Sequence, residues 1–522
     1  MPDLGNIYVH FAPELILTVG ILVILLYDVV VRGRDAAQAW IAVATLVAAI
    51  VATVWLSTQP AGAIFEARSA VDPGKVIRAG VFLSDGFTHF FRLIGLVTTL
   101  LVTLSGLAFM RGRTPYKGEF YALVLSAVLA MNLMAGANDL IMVALSIEFL
   151  SITSYILTGY LRNDPRSVEG GLKYFLYGSI VSAAMLFGMS LLYGAAGTTS
   201  LVDPAGATRT IAAVAADPER LMVNGLGGLL LPALAMVVAG IGFKIALVPF
   251  HQWSPDAYQG APTPITAFLS VGPKAAGFAV LLRLMLSTFG GAELAPSWLG
   301  LLAALAAVTM IVGNLGALTQ TDVKRMMAYS SIAQAGYMLL GLVPLGGGML
   351  EGIEPVGAVL VYILAYLFTN LGAFAVIIAV DHATGSSDVG SYAGLMKRSP
   401  FLAVALAVFF LSLVGIPPLA GFIGKFAVFS AAVTGGQAML AVVGVLTGVI
   451  SVGYYFRVMR EAFFTAPPEG AGAIRLASPL RLVVVVALVM TFAIGLMPTP
   501  FIQLANQAAQ VIAPVAEAMA GH

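Results

Sequence analysis

Along most of this chain the apolar residues neither alternate with polar ones nor recur at helical spacing. They run on for about 20 residues at a time, and the polar residues gather in short stretches between the runs. A helix of that length crosses the roughly 30 Å hydrocarbon core of a bilayer. The pattern therefore predicts an all-α integral membrane protein of about 14 transmembrane helices. They fall near residues 13–31, 37–57, 86–108, 116–135, 138–160, 167–196, 227–251, 262–288, 297–320, 325–345, 355–380, 399–432, 436–463 and 478–500. Alternation of the kind a transmembrane strand needs is absent, which argues against a β-barrel. The apolar tail 501–520 is too short and too Ala-rich for a fifteenth span, so residues 1–522 read as a single polytopic membrane domain. No Lys or Arg precedes the first run, and Arg32 and Arg34 follow it. That is the reverse of a cleavable signal, so the run is expected to remain as a span.

Two spans are malformed. The seventh runs into Pro249, and Pro255, Pro262 and Pro264 follow before the eighth is under way. The twelfth, at about 34 residues, is too long for one straight crossing and is divided by Gly415-Ile416-Pro417-Pro418. Proline removes a backbone donor and is tolerated inside a span where the freed carbonyls face protein or water. The interruptions are five spans apart, and five is odd, so two copies of a five-helix unit offset that way would be inverted relative to each other. The expectation is two inverted five-helix repeats, spans 4–8 and 9–13, with broken helices 7 and 12. A weaker likeness between Lys173…Ala183 and Arg325…Ala335 would pair spans 6 and 10 and does not fit that offset.

Composition narrows the class. The 522 residues are 60% hydrophobic and 10% charged, with a mean hydropathy of +0.97. A soluble domain carries about 25% charged residues. The net charge of +1 gives no handle on nucleic acid. Without cysteine there is no thiolate for an iron–sulfur cluster, and the five histidines are too scattered to clamp a haem or a metal. No phosphate-binding loop of the G-x-x-x-x-G-K-[ST] kind is present, so ATP is not the expected energy source. Loops after odd-numbered spans hold fifteen lysines and arginines, those after even-numbered spans five. By the positive-inside rule the odd loops are cytoplasmic and both termini lie outside.

Four charges nevertheless sit within the apolar runs: Glu148, Lys244, Lys274 and Lys425. Each costs roughly 2.5–3.5 kcal/mol at the bilayer centre, about 10–14 kcal/mol together, unless partners or internal water offset it. Glu148 lies mid-span in ALSIEFLSITSYIL, with Ser151 and Tyr155 along the same face. Moving a lysine toward or away from such a carboxylate changes which of the two holds a proton; the plainer alternative is a structural ion pair. Lys244 precedes the break at Pro249, Lys425 follows the break at Pro417-Pro418, and Lys274 sits among Gly272, Pro273, Ala275 and Ala276, which give it no cover. His251, beside Trp253, is either a bridge in a relay or an interfacial residue. Lys173, at the start of span 6, is either a relay member or a cytoplasmic anchor, whereas Arg92 and Arg283 lie near span ends and suit snorkelling or pairing.

The strings GLKYFLYGSI, KIALVPFHQWSPDAYQGAPTPITAFLSVGPKAAGFA and GIPPLAGFIGKF resemble the antiporter-like membrane subunits of respiratory complex I, the proton-pumping NADH:quinone oxidoreductase. The resemblance covers spans 4–13. It implies a charged axis along the membrane midplane, falling here on Glu148, Lys244, Lys274 and Lys425, with His251 in a bridging place. Among the sibling subunits, lysine at 425, the lack of room for a lateral helix and the opening PELIL…LYD resemble the subunit N branch. The family implies protons moved along the axis by movement of the Glu148–Lys244 pair, driven by quinone reduction elsewhere. It also implies sibling membrane subunits as partners, an energy-transducing bacterial cytoplasmic membrane as location, and no cofactor or metal on this chain. Quinone, FMN and Fe–S clusters belong to other subunits. A subunit of a multisubunit Na⁺/H⁺ antiporter or membrane-bound hydrogenase is the alternative on the same fold. Two long external loops, 58–85 and 197–226, depart from a lean version of the family.

Overall fold

The computed structural model describes residues 4–31, 37–64, 67–68, 76–110, 113–203, 209–217, 227–290, 295–343 and 354–512. Arg32, Arg34, Lys75, Arg111, Arg220 and His522, and parts of both long loops, lie outside the described residues. Twelve helices among the described residues are long and apolar enough to cross a membrane. The tenth expected span falls on Val323–Leu340, buried along nearly all of its length but less apolar than the twelve. The twelfth divides into Pro400–Val414 and Ala420–Thr434. The tail expected to be too short for a span holds an 11-residue helix, Thr499–Ala509. Within loop 58–85 the chain forms two small antiparallel pairs, Gly62–Ile64 with Phe82–Ser84 and Ala67–Arg68 with Val76–Arg78.

The helices used below are, in chain order, α1 (Ala12–Val30), α2 (Gly86–Phe109), α3 (Leu140–Thr158), α4 (Pro165–Ala196), α5 (Gly227–Ile245), α6 (Trp253–Gly260), α7 (Thr263–Leu282), α8 (Ala295–Leu318), α9 (Val323–Leu340), α10 (Pro355–Thr384), α11 (Pro400–Val414), α12 (Ala420–Thr434) and α13 (Ala438–Phe464). Helix α7 is buried along its whole length and α10 almost so; outer helices such as α4 and α13 keep one face for lipid. Glycine sets how closely α8 and α9 pack. A Cβ on Gly313 would lie 2.5 Å from the Ala333 nitrogen, and one on Gly336 would lie 2.9 Å from the Met310 nitrogen. Small residues let backbones approach where lipid supplies no hydrophobic drive.

The two buried arginines at span ends are paired rather than snorkelling. Arg92 of α2 meets Glu14 of α1 at 2.9 Å and also donates to the His10 carbonyl, which ties the first helices to the core. Arg283, in the π-turn that follows α7, meets Asp85 at 3.0 Å.

Candidate functional site

Both expected breaks are present, and each is made by a residue with positive φ. Helix α5 stops at Ile245 because Ala246 takes a φ of +59°, and α11 stops at Gly415, whose φ is +99°. The carbonyls freed by each stop must find donors in a medium without water. At the first break the Trp253 indole donates to the Phe243 carbonyl at 3.0 Å and stacks on Tyr174 at 3.9 Å; the Val248 amide reaches Thr309 of α8 at 3.1 Å. At the second, Gln334 of α9 donates to Leu413 at 3.2 Å, and Lys425 itself donates to Val414 at 2.9 Å. A site lysine thus closes one break, and a tryptophan closes the other.

Lys244, Lys274 and Lys425 are 1%, 3% and 5% exposed, and every hydrogen bond described for their ammonium groups goes to a neutral oxygen. Lys244 Nζ donates to Ser151 Oγ at 2.7 Å, one turn along α3 from Glu148, and lies 6.0 Å from the Tyr174 ring centroid. Glu148 acts on Lys244 electrostatically, yet its Oε1 is buried without a hydrogen-bond partner. Lys244 is thus held beside the carboxylate rather than on it. Helix α7 passes close to this lysine: a Cβ on Gly277 would lie 3.5 Å from Lys244 Cγ. Lys274 Nζ, one turn back along α7, donates to the Ser331 carbonyl at 2.8 Å. His251 does not continue the face of α5, because it lies in the turn after the break. Its Nδ1 is buried with no side-chain partner, and it feels the Lys274 ammonium.

From Lys274 to Lys425 the interior is polar but uncharged. Tyr258 OH lies 3.4 Å from Ser331 Oγ, and Ser330 Oγ lies 2.5 Å from Tyr455 OH. The Tyr455 and Tyr454 rings are 4.4 Å apart, and Tyr454 donates to Asn314 Oδ1 at 3.2 Å. The Asn314 amide donates to Tyr337 OH at 3.0 Å, and Lys425 Nζ lies 4.6 Å over the Tyr337 ring. Gln334 accepts from Tyr362. Helix α9 supplies the centre of this network, which is why it is less apolar than its neighbours. Sequence reasoning missed these groups, since neutral polar residues in a span do not stand out by insertion cost.

Lys173 lies apart from the axis. It is 41% exposed and pairs with Glu169 at 2.6 Å and with Asp256 of α6 at 2.8 Å. Arg325 of α9 pairs with the same aspartate. The two halves of the weak Lys173/Arg325 likeness therefore meet on one carboxylate, a role for Asp256 that the sequence did not suggest. Among the described residues, no group of three or more His, Asp or Glu side chains is placed to hold a metal ion.

Buried lysines beside two broken helices define an antiporter-type membrane fold, and the comparisons agree. The family model described as NADH:quinone oxidoreductase/Mrp antiporter, TM, matches residues 137–451. Within that family the chain belongs to the subunit N branch of the NADH-quinone oxidoreductases. It is 39% identical over 513 residues, 97% of each chain, to NADH-quinone oxidoreductase subunit N 2 of Symbiobacterium thermophilum. It is similar to a chain of respiratory complex I from Thermus thermophilus with a TM-score of 0.75 and 32% identity, over 94% of this chain and 98% of that one. A chain of the Mrp complex from a Dietzia species has a TM-score of 0.80 at 23% identity, over 98% of this chain and 99% of that one, which is a likeness of fold alone.

Proposed function

We propose that this chain is a proton-translocating membrane subunit of an NADH:quinone oxidoreductase, moving protons along Glu148, Lys244, Lys274 and Lys425. The observation that carries the reading is the state of the three buried lysines. Lys244 and Lys425 flank the two helix breaks, Lys274 lies mid-way along the buried α7, and all three hydrogen-bond to a neutral oxygen rather than to a carboxylate. A charge buried only to hold helices together is normally paired, as Arg92 and Arg283 are. Movement of Glu148 relative to Lys244 would stabilise or release the ammonium there. His251 bridges toward Lys274, and the hydroxyls between Lys274 and Lys425 order water for the last transfer. Lys173 serves as an anchor at the cytoplasmic end. Pro249, Pro417 and Pro418 follow the breaks and, lacking an amide proton, keep the helix from continuing across them.

In this reading residues 1–522 form one polytopic domain without a redox centre, cofactor or metal of its own. Sibling membrane subunits and the bilayer are its partners. Quinone reduction in the complex, with FMN and Fe–S clusters in other subunits, drives the movement. The chain lies in a bacterial cytoplasmic membrane with both termini outside. The inverted repeat is supported by recurring neighbours: α4 packs against the broken helix α5/α6, and α10 against the broken helix α11/α12, five spans on. The test is Lys244→Ala in assembled complex in proteoliposomes. Proton translocation should be lost while the complex stays intact, and full pumping would refute the relay.

A further inference from the structure

We propose that protons enter this subunit through a polar cavity at the start of α7, with Asp381 as the collecting group and the Thr263–Asp381 hydrogen bond as its closed mouth. The proposal rests on the relay reading above and names where its central lysine is supplied. The cavity has a volume of about 470 Å³ and is lined by Arg113, Asp164, Thr263, Lys324, Asp381 and Asp388 among others. Its walls come from the loops after spans 3, 5, 7, 9 and 11, all on the face that the basic-residue count assigns to the cytoplasm.

Helix α7 is wholly buried, yet Thr263, Thr266, Ser270 and Lys274 recur along it at spacings of three and four residues. At 100° per residue they share one face, and the stripe runs about 16 Å from the cavity to the lysine. Helix α10 presents a matching face in antiparallel register. Thr263 Oγ1 donates to Asp381 Oδ2, and Asn370 Nδ2 donates to Ser270 Oγ at 2.6 Å, so the two rungs lie seven residues apart on α7 and eleven on α10. One turn further along α10, Tyr366 interacts with Ser331, whose carbonyl holds Lys274. Thr266 reaches the Tyr258 carbonyl at 2.8 Å, and Tyr258 OH lies 3.4 Å from Ser331 Oγ, on the residue whose carbonyl holds Lys274. Asn370 Oδ1 is buried here without a hydrogen-bond partner, and Tyr366 OH and Ser254 Oγ, beside Ser331 and Tyr258, make none of good geometry. Buried polar groups left over in this way are where ordered water binds. A file of water between the rungs would carry a proton from the Asp381 carboxyl to the Lys274 amine. Asp381 would be left as the carboxylate and Lys274 as the ammonium. Asp381 acts electrostatically on Arg113, Lys324 and Tyr392, and Asp164 and Asp322 act on the same lysine.

The experiment is NADH-driven proton translocation in proteoliposomes by the assembled complex, with assembly followed on native gels. Thr263→Val and Asp381→Asn should each slow pumping by at least about tenfold, while Thr263→Ser and Asp381→Glu should retain it. The deficit of Asp381→Asn should shrink as the pH on the uptake side falls, because bulk protons then replace the lost collector. A packing defect would not follow that pH dependence. Unchanged pumping in Thr263→Val and Asp381→Asn at every pH, with Lys274→Ala inactive, would overturn the path and leave the relay standing. Normal pumping by Lys274→Ala would instead remove the relay reading itself.

Discussion

Gly415 offers the sharpest test of how the second break supports Lys425. Its φ is +99° and its ψ +40°, and a Cβ added there would lie 2.9 Å from Lys425 Cδ. In Gly415→Ala the left-handed backbone alone costs about 1–2 kcal/mol. Reaching ordinary contact, 3.4 Å or more, also requires the lysine stem to move by about half an ångström. The stem is short of freedom, because Nζ is bound to the Val414 carbonyl at 2.9 Å and the ammonium lies over the Tyr337 ring. Losing that charge-assisted bond costs roughly 1.5–3 kcal/mol, a 10- to 150-fold change in the population of lysine seated at the break. The matched control is Gly436→Ala, with a φ of +76° and nothing within 4 Å of the added Cβ. It carries the backbone cost without the displacement. NADH-driven proton translocation in proteoliposomes, set against thermal unfolding of the complex, separates the two effects. Both variants should lose similar stability to backbone strain, and only Gly415→Ala should lose pumping by one to two orders of magnitude. If the two pump alike, the geometry at Val414 has no bearing on transport.

Three further outcomes follow from packing and charge. Arg92→Met leaves Glu14 buried and alone and should destabilise by about 3–5 kcal/mol, while the double variant with Glu14→Leu should recover most of the loss in thermal unfolding. Gly421→Ala would place a Cβ 1.8 Å from the Ser412 carbonyl oxygen, so the half-helices should fail to close and the subunit should be missing from native gels of the complex. Lys173→Ala removes only exposed ion pairs and should cost no more than about 1 kcal/mol, with pumping within about twofold of the parent; a larger fall would move Lys173 into the relay.

The spans, both breaks and the buried lysines were legible because each violates or fulfils a one-dimensional rule. Run length reports a crossing, proline inside a run reports a break, and a lone charge reports a cost that something must offset. The partners were not legible. Ser151 meets Lys244 across 93 residues, and Ser330 meets Tyr455 across 125. Hydroxyls and amides at such separations carry no local signature. Span 12 was read as one long interrupted run, and its two halves fall where Gly415 and the prolines put them. The expected Glu148–Lys244 pair is a near neighbour through Ser151 rather than a contact, since a serine one turn away is the closer acceptor. Asp256 went unread because a loop-flanking aspartate is ordinary until the chain brings Lys173 and Arg325 to it.

The close approach of α8 and α9 has a consequence for how the chain is made. Helix α9 carries the serines, glutamine and tyrosine of the central network and is less apolar than the other spans, so inserting it alone costs more. Helix α8 precedes it by a few residues and meets it through glycines that allow near-contact of the two backbones. A hairpin of α8 and α9 formed during synthesis would lower that cost. Bulk at Gly313 or Gly336 would then stall biogenesis at that step, and the damage would appear as missing protein before any effect on transport could be seen.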